Sequence, residues 1–302
     1  MKNVFSVFLE NKFLLMKWFF KFIFIPFVIL ILVYLNCIKK PHGFSYQKIH
    51  SDYGYNARWD FGPPSQTQEK LLDELSCQSF TLLGSGKKCY AFVSVDGTTV
   101  IKFFKQKHLK NSYFLHRPPI PKPIQPFRNE ILNKHNLKRH ALYQSYQIAY
   151  ERIFDQTGVL YLHLTKTKGL NRTIHLKTPH GKQLTLKLDN IEFLIQKRAF
   201  SILDTMKQYP EKRKEIIVSI VDLIVQIAQK GIKTQMINCE EDLGFLEGKV
   251  IQIGGGKFYP SIRKPLTKEE LQKQTLPIKK FLEKTDPNLL PYLEAQIQSA
   301  LC

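Results

Sequence analysis

The longest apolar run of the chain lies near its N-terminus. Residues 22–36 contain no charged side chain, and apolar residues extend the run to residues 13–38. A membrane-spanning helix needs about 20 predominantly apolar residues, a length that this segment reaches when Lys17 and Lys21 extend their ammonium groups towards the lipid headgroups. The pattern predicts a single-pass membrane anchor within residues 1–38 and therefore a membrane localisation.

Two other interpretations of this run stay open. A basic start followed by an apolar centre is also typical of a cleaved signal peptide, although no A-x-A-like cleavage site follows it. A buried core helix is the remaining alternative. Lysines lie on both sides of the run, so the positive-inside rule does not give its orientation.

The rest of the chain mixes strand and helix patterns. Residues 39–66 combine glycine, proline, serine and tyrosine without periodicity, which is typical of a linker. Beyond them the order of elements predicts an α+β fold with two lobes, at 67–199 and 200–302. Apolar spacing predicts helices at 66–77, 127–154, 214–230, 267–284 and 287–300, and strands or hairpins at 80–93, 98–104, 159–166, 173–186, 191–198 and around Glu247-Gly248.

A glycine-containing hairpin followed by a lysine is the most informative pattern of the chain. Gly84, Ser85 and Gly86 lie between two predicted strands, and an Asp-Gly turn then leads to a third strand that carries Lys102. Glycines in such a loop let backbone N–H groups approach an anion, and the lysine is placed to reach the same phosphates. The alternative is an ordinary hairpin beside a lysine that points to solvent.

This segment resembles the nucleotide-binding lobe of protein kinases, whose loop reads G-x-G-x-x-G-x-V and whose lysine lies in V-A-I-K. Gly84 and Gly86 match the first two glycines, Cys89 stands at the third, and Lys102 matches the lysine. The resemblance implies that Gly84, Ser85, Gly86 and Lys102 bind ATP. The chain is also similar to uncharacterised bacterial membrane-anchored kinase-like proteins, among which it would be a degenerate member.

The resemblance covers residues 78–256. It implies that helix 127–154 is the kinase C-helix, whose glutamate pairs with the lysine; Glu130 and Glu151 both suit this role by spacing. The strand at 192–199 is similar to the hinge strand that leads into the larger lobe. The implied fold is a two-lobed, kinase-like α+β domain behind a transmembrane helix.

The catalytic positions depart from the kinase pattern. A kinase needs H-R-D-x-x-x-x-N and then D-F-G, which supply a proton acceptor and the magnesium ligands. The best register places Asp242 at the asparagine, Ile237 at the catalytic aspartate and Gly254 at the metal-binding aspartate. Because isoleucine and glycine side chains neither accept a proton nor bind magnesium, no catalytic residue is predicted. Asp242, beside Glu240 and Glu241, remains a candidate metal ligand, with a solvated acidic turn as the alternative.

Charge favours anionic partners. The chain has 45 Lys and Arg against 25 Asp and Glu, a net charge of +20, and residues 102–140 contain a single acid, Glu130. This stretch predicts contact with anionic lipid or an acidic protein, with a merely soluble basic face as the alternative. Nucleic acid is not expected, because no RNA- or DNA-binding motif is present. The five cysteines are scattered, which favours reduced thiols over a disulfide framework.

These patterns predict a membrane-anchored, pseudokinase-like binding or scaffold protein that holds nucleotide without transferring phosphate. Magnesium has few predicted ligands. One alternative is an active, atypical phosphotransferase that uses Asp242, Glu240 or Glu241 for metal. The other is a basic membrane-surface adaptor whose kinase-like frame holds no nucleotide.

Overall fold

The computed structural model divides the chain into two compact units, 1–43 and 44–302. The structure describes residues 18, 20–38, 43–106, 123, 125–178, 181–255, 257–261 and 266–301.

The first unit contains a π-helical turn at Phe20–Phe24 and helix α1 at Ile25–Ile38. Among the described residues of both units, no helix is both long enough and apolar enough to cross a membrane. This finding gives the predicted anchor no support. Residues 13–17 and 19 of that predicted span lie outside the described residues.

The second unit is a mixed α+β structure whose helices lie mostly in its C-terminal part. Two helices begin at a capping box, at Ser65 with Gln68 and at Thr267 with Glu270, where side chains satisfy the free N–H groups of the first turn. The helices are α2 Tyr46–Ile49, α3 Gln66–Ser76, α4 Gln125–Glu151, α5 Phe154–Thr157, α6 Ile202–Gln208, α7 Arg213–Gln229, α8 Lys268–Thr285 and α9 Leu290–Ser299, with 3₁₀ turns at Ala57–Trp59, Leu188–Asn190, Pro210–Lys212 and Pro287–Leu289.

Twelve strands are described, and seven of them form one sheet in the order β4-β7-β3-β2-β1-β5-β6. The strands are β1 Ser79–Ser85, β2 Cys89–Ser94, β3 Thr99–Phe104, β4 Val159–His163, β5 Thr173–Lys177, β6 Gln183–Lys187, β7 Phe193–Lys197, β8 Phe200–Ser201, β9 Ile232–Thr234, β10 Leu243–Leu246, β11 Lys249–Gln252 and β12 Phe258–Pro260. Neighbours in the sheet run antiparallel, except that β5 pairs in parallel with β1. The predicted α+β class is therefore confirmed.

The turn between β2 and β3 has the chemistry that its Asp-Gly pair predicts. Gly97 has a φ of +74°, a conformation that glycine adopts without a steric penalty. The Asp96 carboxylate accepts hydrogen bonds from the Ser94 and Thr98 hydroxyls and from the Thr98 N–H. These bonds lower the pKa of Asp96 to about 2, and they hold β3 beside β2.

The segment predicted as a linker is, from Phe44 onward, part of the second unit. Ile49 and Trp59 are buried, and the Arg139 guanidinium lies 3.4 Å from the centre of the Tyr53 ring. Residues 44–66 therefore do not form the predicted linker. Their few apolar side chains have no helical or strand periodicity because each is buried separately against the domain.

Two clusters of buried side chains form the core. One lies around the sheet and includes Phe80, Phe92 and Ile101. The other runs from α4 through α7 to the C-terminal helices. Residues 67–199 and 200–302 belong to the same compact unit, and the lobe boundary at residue 199 stays a prediction.

Candidate functional site

The glycine loop, Gly84–Gly86, lies where β1 leads into β2. A lysine side chain holds it by hydrogen bonds. The register of the two strands shifts between Leu82 and Gly84, so the chain bends at the first glycine. The Lys105 ammonium donates hydrogen bonds to the Ser85 hydroxyl at 2.7 Å and to the Gly86 carbonyl at 2.5 Å. A Cβ atom at Gly84 would meet no heavy atom within 4 Å. The loop is therefore fixed at its tip and open at its first glycine.

Lys102 lies on strand β3, between β7 and β2 in the sheet, and its side chain reaches the segment that follows β11. Its ammonium donates a hydrogen bond to the Ile253 carbonyl at 2.8 Å. Burial lowers the pKa of Lys102 to about 8, against smaller upward effects of Cys89 and Asp242. Lys102, the lysine that the resemblance to kinases selects, therefore contacts the chain at Ile253 and is partly buried there.

The two glutamates that were predicted as partners of Lys102 lie elsewhere. Glu130 is exposed, and Glu151 accepts a hydrogen bond from the Gln147 amide on the surface of α4. No ion pair links Lys102 to a carboxylate among the described residues. The structure thus brings neither glutamate to the lysine.

Helix α4 presents a tyrosine to the site in place of a carboxylate. The Tyr146 hydroxyl lies 3.7 Å from the Cys89 thiol, and burial raises the pKa of both groups. A Cβ atom at Gly255 would lie 2.0 Å from the Tyr146 ring. A glycine is therefore required where the chain passes this ring. Sequence reasoning did not select Tyr146, since a tyrosine on an apolar helix face is usually a core residue.

The β10–β11 hairpin brings Asp242 beside Gly254. The Asp242 carbonyl accepts hydrogen bonds from the Ile253 N–H at 2.7 Å and the Gly254 N–H at 3.1 Å. A Cβ atom at Gly254 would lie 2.0 Å from the Asp242 carboxylate, so any other residue there would have to displace it. Ile237, at the position of the catalytic aspartate, is buried.

The Asp242 carboxylate is almost fully buried and already has partners. It accepts a hydrogen bond from the Asn238 N–H at 2.8 Å and forms an ion pair with the Lys257 ammonium. Glu240 and Glu241, the other acids of this turn, are exposed. Asp242 is therefore the acid of this turn that belongs to the site.

One lysine, Lys257, pairs with this carboxylate, and Lys88 and Lys102 lie near enough for its charge to raise their pKa. Besides Lys102 and Lys257, the Lys88 ammonium lies close enough for its pKa to respond to the other charges. Partial burial lowers that pKa first, Lys257 lowers it further, and Cys89 and Asp242 partly offset both effects. The site consequently carries a net positive charge, which favours an anionic ligand. The sequence did not indicate Lys88 and Lys257 as site residues, because the chain contains many lysines and only the fold brings these two together.

A divalent cation does not fit this donor set. Magnesium requires several oxygen ligands in octahedral geometry, whereas the one carboxylate here is engaged by Lys257 and the neighbouring position is Gly254. Within the described ranges, no three His, Cys, Asp or Glu side chains come together as a metal site. The arrangement provides positive charge that suits an anionic ligand.

Comparisons with known proteins give only distant matches. No family model and no curated protein matches the sequence. A solved structure of WbdD with a kinase inhibitor is 12% identical with a TM-score of 0.38, over 72% of this chain and 44% of that one. Another, of the bifunctional kinase-methyltransferase WbdD, is 12% identical with a TM-score of 0.35, over 70% and 42%.

The Rv3197–erythromycin complex from Mycobacterium tuberculosis is 13% identical with a TM-score of 0.35, over 77% of this chain and 61% of that chain. This chain spans less than two thirds of each of these solved chains. None of the matches assigns it to a family.

Proposed function

We propose that residues 44–302 form a pseudokinase-like module that binds a nucleotide through its phosphates and does not transfer phosphate. The observation that carries the proposal is the Lys257–Asp242 ion pair beside Lys102, whose ammonium bonds the Ile253 carbonyl. Lys88, an exposed side chain, lies near enough for Asp242 to raise its pKa. Lysine ammonium groups are point charges that bind phosphate oxygens well. The proposed nucleotide-binding residues are Gly84, Ser85, Gly86 and Lys102, joined here by Lys88 and Lys257.

The order of elements supports a kinase-like frame for this site. A glycine-loop hairpin is followed by the lysine strand β3, the long helix α4 and the strand β7, which pairs directly with β3. A short hairpin, β10–β11, then brings Asp242 to the lysine's side of the site. This is the arrangement that the resemblance to kinases implies.

Lys257 explains why magnesium would contribute little to this binding. In kinases, magnesium bridges the phosphates to acidic side chains. Here the Lys257 ammonium neutralises Asp242, so the positive charge left for phosphates is that of Lys88 and Lys102. We therefore expect the lysines, without a metal, to balance the phosphate charge.

The register given by the resemblance to kinases supports the proposed lack of phosphotransfer, because it places no proton acceptor at the catalytic position. Ile237 and Gly254 occupy the two aspartate positions, and the stabilisation of phosphoryl transfer is largely electrostatic and depends on bound metal. The alternative of an atypical phosphotransferase requires Asp242 to leave Lys257, or Glu240 and Glu241 to turn inward. The alternative of an adaptor requires that no nucleotide binds at all.

The decisive experiment is a titration of the full chain with ATP, followed by thermal unfolding, with and without magnesium. Saturation at about 100 times the dissociation constant stabilises a protein by roughly 2.7 kcal/mol. We expect a clear upward shift of Tm that changes little when magnesium is added. Lys102→Met and Lys257→Met should remove most of the shift, whereas Lys187→Met, at an exposed lysine on β6, should keep it.

Two results would contradict the proposal in different ways. If millimolar ATP does not change Tm, the nucleotide site is absent and the adaptor alternative is favoured. If ATP is hydrolysed or the protein phosphorylates itself in a magnesium-dependent reaction that Lys102→Met abolishes, the chain is an active phosphotransferase. A shift that appears only with magnesium and disappears in Asp242→Asn would make Asp242 a metal ligand.

A further inference from the structure

An aromatic cavity of about 820 Å³ lies between residues 54–64, helix α3 and the end of strand β4. It shares no lining residue with the lysine site described above. Its volume falls within the range that is typical of small-molecule sites. Five aromatic side chains line it, namely Tyr55, Trp59, Phe61, Tyr150 and Tyr161.

Two of these rings are held against each other by the fold. Phe61 and Tyr150 meet edge to face, with ring centroids 5.7 Å apart and an angle of 66° between the ring planes. The Gln68 amide donates hydrogen bonds to the Tyr150 hydroxyl at 2.7 Å and to the Leu160 carbonyl at 3.2 Å. Because both rings are only half-buried and line the cavity, part of their surface is available to a ligand.

Two carboxylates at the cavity are bonded by neutral groups. Asp60 lines the cavity and accepts a hydrogen bond from the Gly62 N–H at 3.0 Å. The Tyr55 hydroxyl bonds the same carboxylate, which raises the pKa of Tyr55. Asp189, behind the wall, accepts hydrogen bonds from the Thr167 hydroxyl and from two backbone N–H groups of the same loop. Neither acid forms an ion pair in the described part of the chain, so both negative charges remain uncompensated.

A third carboxylate shares its cation with another acid. Glu69 lies 2.6 Å from the Arg172 guanidinium, and the same guanidinium lies 2.8 Å from Asp73. One positive charge therefore serves two carboxylates. His163 also lines the cavity, but burial lowers its pKa, so its ring is neutral and adds no positive charge.

The two lysines of the lining are directed to other partners. Burial raises the pKa of the Glu192 carboxyl to about 7, and the charge of Lys166 is among the effects that lower it. Lys166 thus acts on an acid outside this cavity. Lys168 is exposed, where water and salt screen its charge. Neither lysine therefore offsets the carboxylates at the aromatic wall.

The Tyr161 hydroxyl experiences the sum of these charges. Burial is the largest effect that raises its pKa, followed by Tyr150 and then by three carboxylates, Glu69, Asp60 and Asp189. The field at this part of the aromatic wall is therefore negative, although the whole chain has a net charge of +20. An aromatic wall in a negative field favours a cation, because the face of each ring also attracts positive charge.

We propose that this cavity is a second binding site, for an organic cation whose ammonium group is attached to an apolar body. The ammonium group would lie against the rings of Phe61, Tyr150 and Tyr161, with Asp60 as the nearby opposite charge. The apolar body would fill the remaining volume. Because hydrogen bonds fix the wall before binding, little ordering is required, which preserves affinity.

The test compares two probes of the same shape that differ in charge. The cation is benzyl(2-hydroxyethyl)dimethylammonium, and the neutral probe is 3,3-dimethyl-4-phenyl-1-butanol, in which a carbon atom replaces the nitrogen. Both are titrated against the folded full chain and followed by ligand-observed NMR. We expect the cation to bind about tenfold more tightly than the neutral probe.

The first variant removes one charge and keeps the shape of the wall. Asp60→Asn retains an oxygen for the Gly62 N–H and should weaken binding of the cation about fivefold. Binding of the neutral probe should change little. Asp222→Asn is the matched control, because it makes the same change of charge at an exposed position of α7 that does not line the cavity. It should leave both probes unchanged.

The second variant removes one ring and keeps an apolar side chain. Phe61→Leu should weaken binding of the cation about fivefold, since the attraction between ring and cation is lost, and should change the neutral probe little. Phe127→Leu, at an exposed ring of α4 outside the cavity, is its control. Thermal unfolding shows whether each variant is folded.

Four results would overturn the proposal: no binding of the cation, equal binding of the two probes, no larger effect of Asp60→Asn than of Asp222→Asn, or equal weakening of both probes by Phe61→Leu. If Phe61→Leu does not fold, Asp60→Asn still decides the matter. These results are independent of the nucleotide proposal, because the two sites share no residue.

Discussion

Lys102 loses its proton close to neutral pH because burial lowers its pKa to about 8. In the unfolded chain the same group has a pKa near 10.5. Between these two values the unfolded chain holds more protons than the folded chain, so stability must rise as pH rises through this interval. Below pH 8 the folded protein holds Lys102 as a buried ammonium, and the cost of burying that charge lowers the free energy of unfolding by its full amount.

This leads to a prediction for Lys102→Met, which has a side chain of similar length without the charge. The free energy of unfolding of wild type, relative to the variant, should rise by about 2 kcal/mol between pH 7.5 and 9.5. Urea denaturation at a series of pH values measures the difference. The lowered pKa of Lys88 is common to both proteins, so it cancels. A difference that does not change with pH would show that Lys102 is solvated.

At the scale of single residues, the nucleotide-binding role of Gly84, Ser85, Gly86 and Lys102 stays a prediction, whereas the predicted partners of Lys102 can be compared with the structure. The hairpin predicted around Glu247-Gly248 accounts for the approach of Asp242 to Gly254, because it pairs Leu243 with Gln252. The group of Lys88, Lys102 and Lys257 depends on long-range packing, and no local pattern distinguishes these lysines from exposed ones. For the same reason the structure places Tyr146 of α4, and not Glu130 or Glu151, inside the site.

At the scale of elements, the chain just after β11 requires a glycine at position 254, where there is no room for a side chain. Gly254→Ala should lower stability by roughly 1–3 kcal/mol, the usual cost of forcing extra atoms into a packed site, because the new methyl group would overlap the Asp242 carboxylate. Gly84→Ala, at an open position of β1, is the control. Urea midpoints of the two variants provide the measurement. Equal midpoints would mean that Asp242 moves aside without cost.

The helices and antiparallel hairpins were predictable to within a few residues, because each has a local signal. Helix 214–230 was predicted from its apolar periodicity and is found at Arg213–Gln229. The parallel pairing of β5 with β1 and the pairing of β9 with β12 were not predicted. Both join strands that are distant in sequence, and such pairings leave no trace in local periodicity or turn chemistry.

At the scale of the whole molecule, the boundary between the two compact units separates the apolar N-terminal run from residues 44–302. We predict that carbonate washing leaves the full chain in the membrane pellet and releases a chain that begins at Lys39. That shorter chain keeps the entire second unit, so a loss of folding should not explain its release. Circular dichroism of the released protein provides the control, and extraction of the full chain by carbonate would contradict the anchor.

The structure describes only part of the predicted basic surface at 102–140. Residues 107–122 and 124 lie outside the described residues. Of the others, Arg139 is buried against Tyr53, and Lys102 and Lys105 are engaged inside the site. These three lysine and arginine side chains do not belong to a free basic face. Contact of the stretch with anionic lipid or an acidic protein stays a prediction.

The β5–β6 hairpin also protects the sheet from unwanted association. Without it, β1 would end the sheet with unpaired N–H and C=O groups, on which a strand from another molecule adds easily. Parallel pairing of Ser79–Thr81 with β5 covers that edge and transfers the open edge to β6, which Lys182 and Lys187 flank. At the other end, β4 packs against α4. An incoming strand would meet lysines at the β6 edge, which should keep the protein from aggregating through this edge of the sheet.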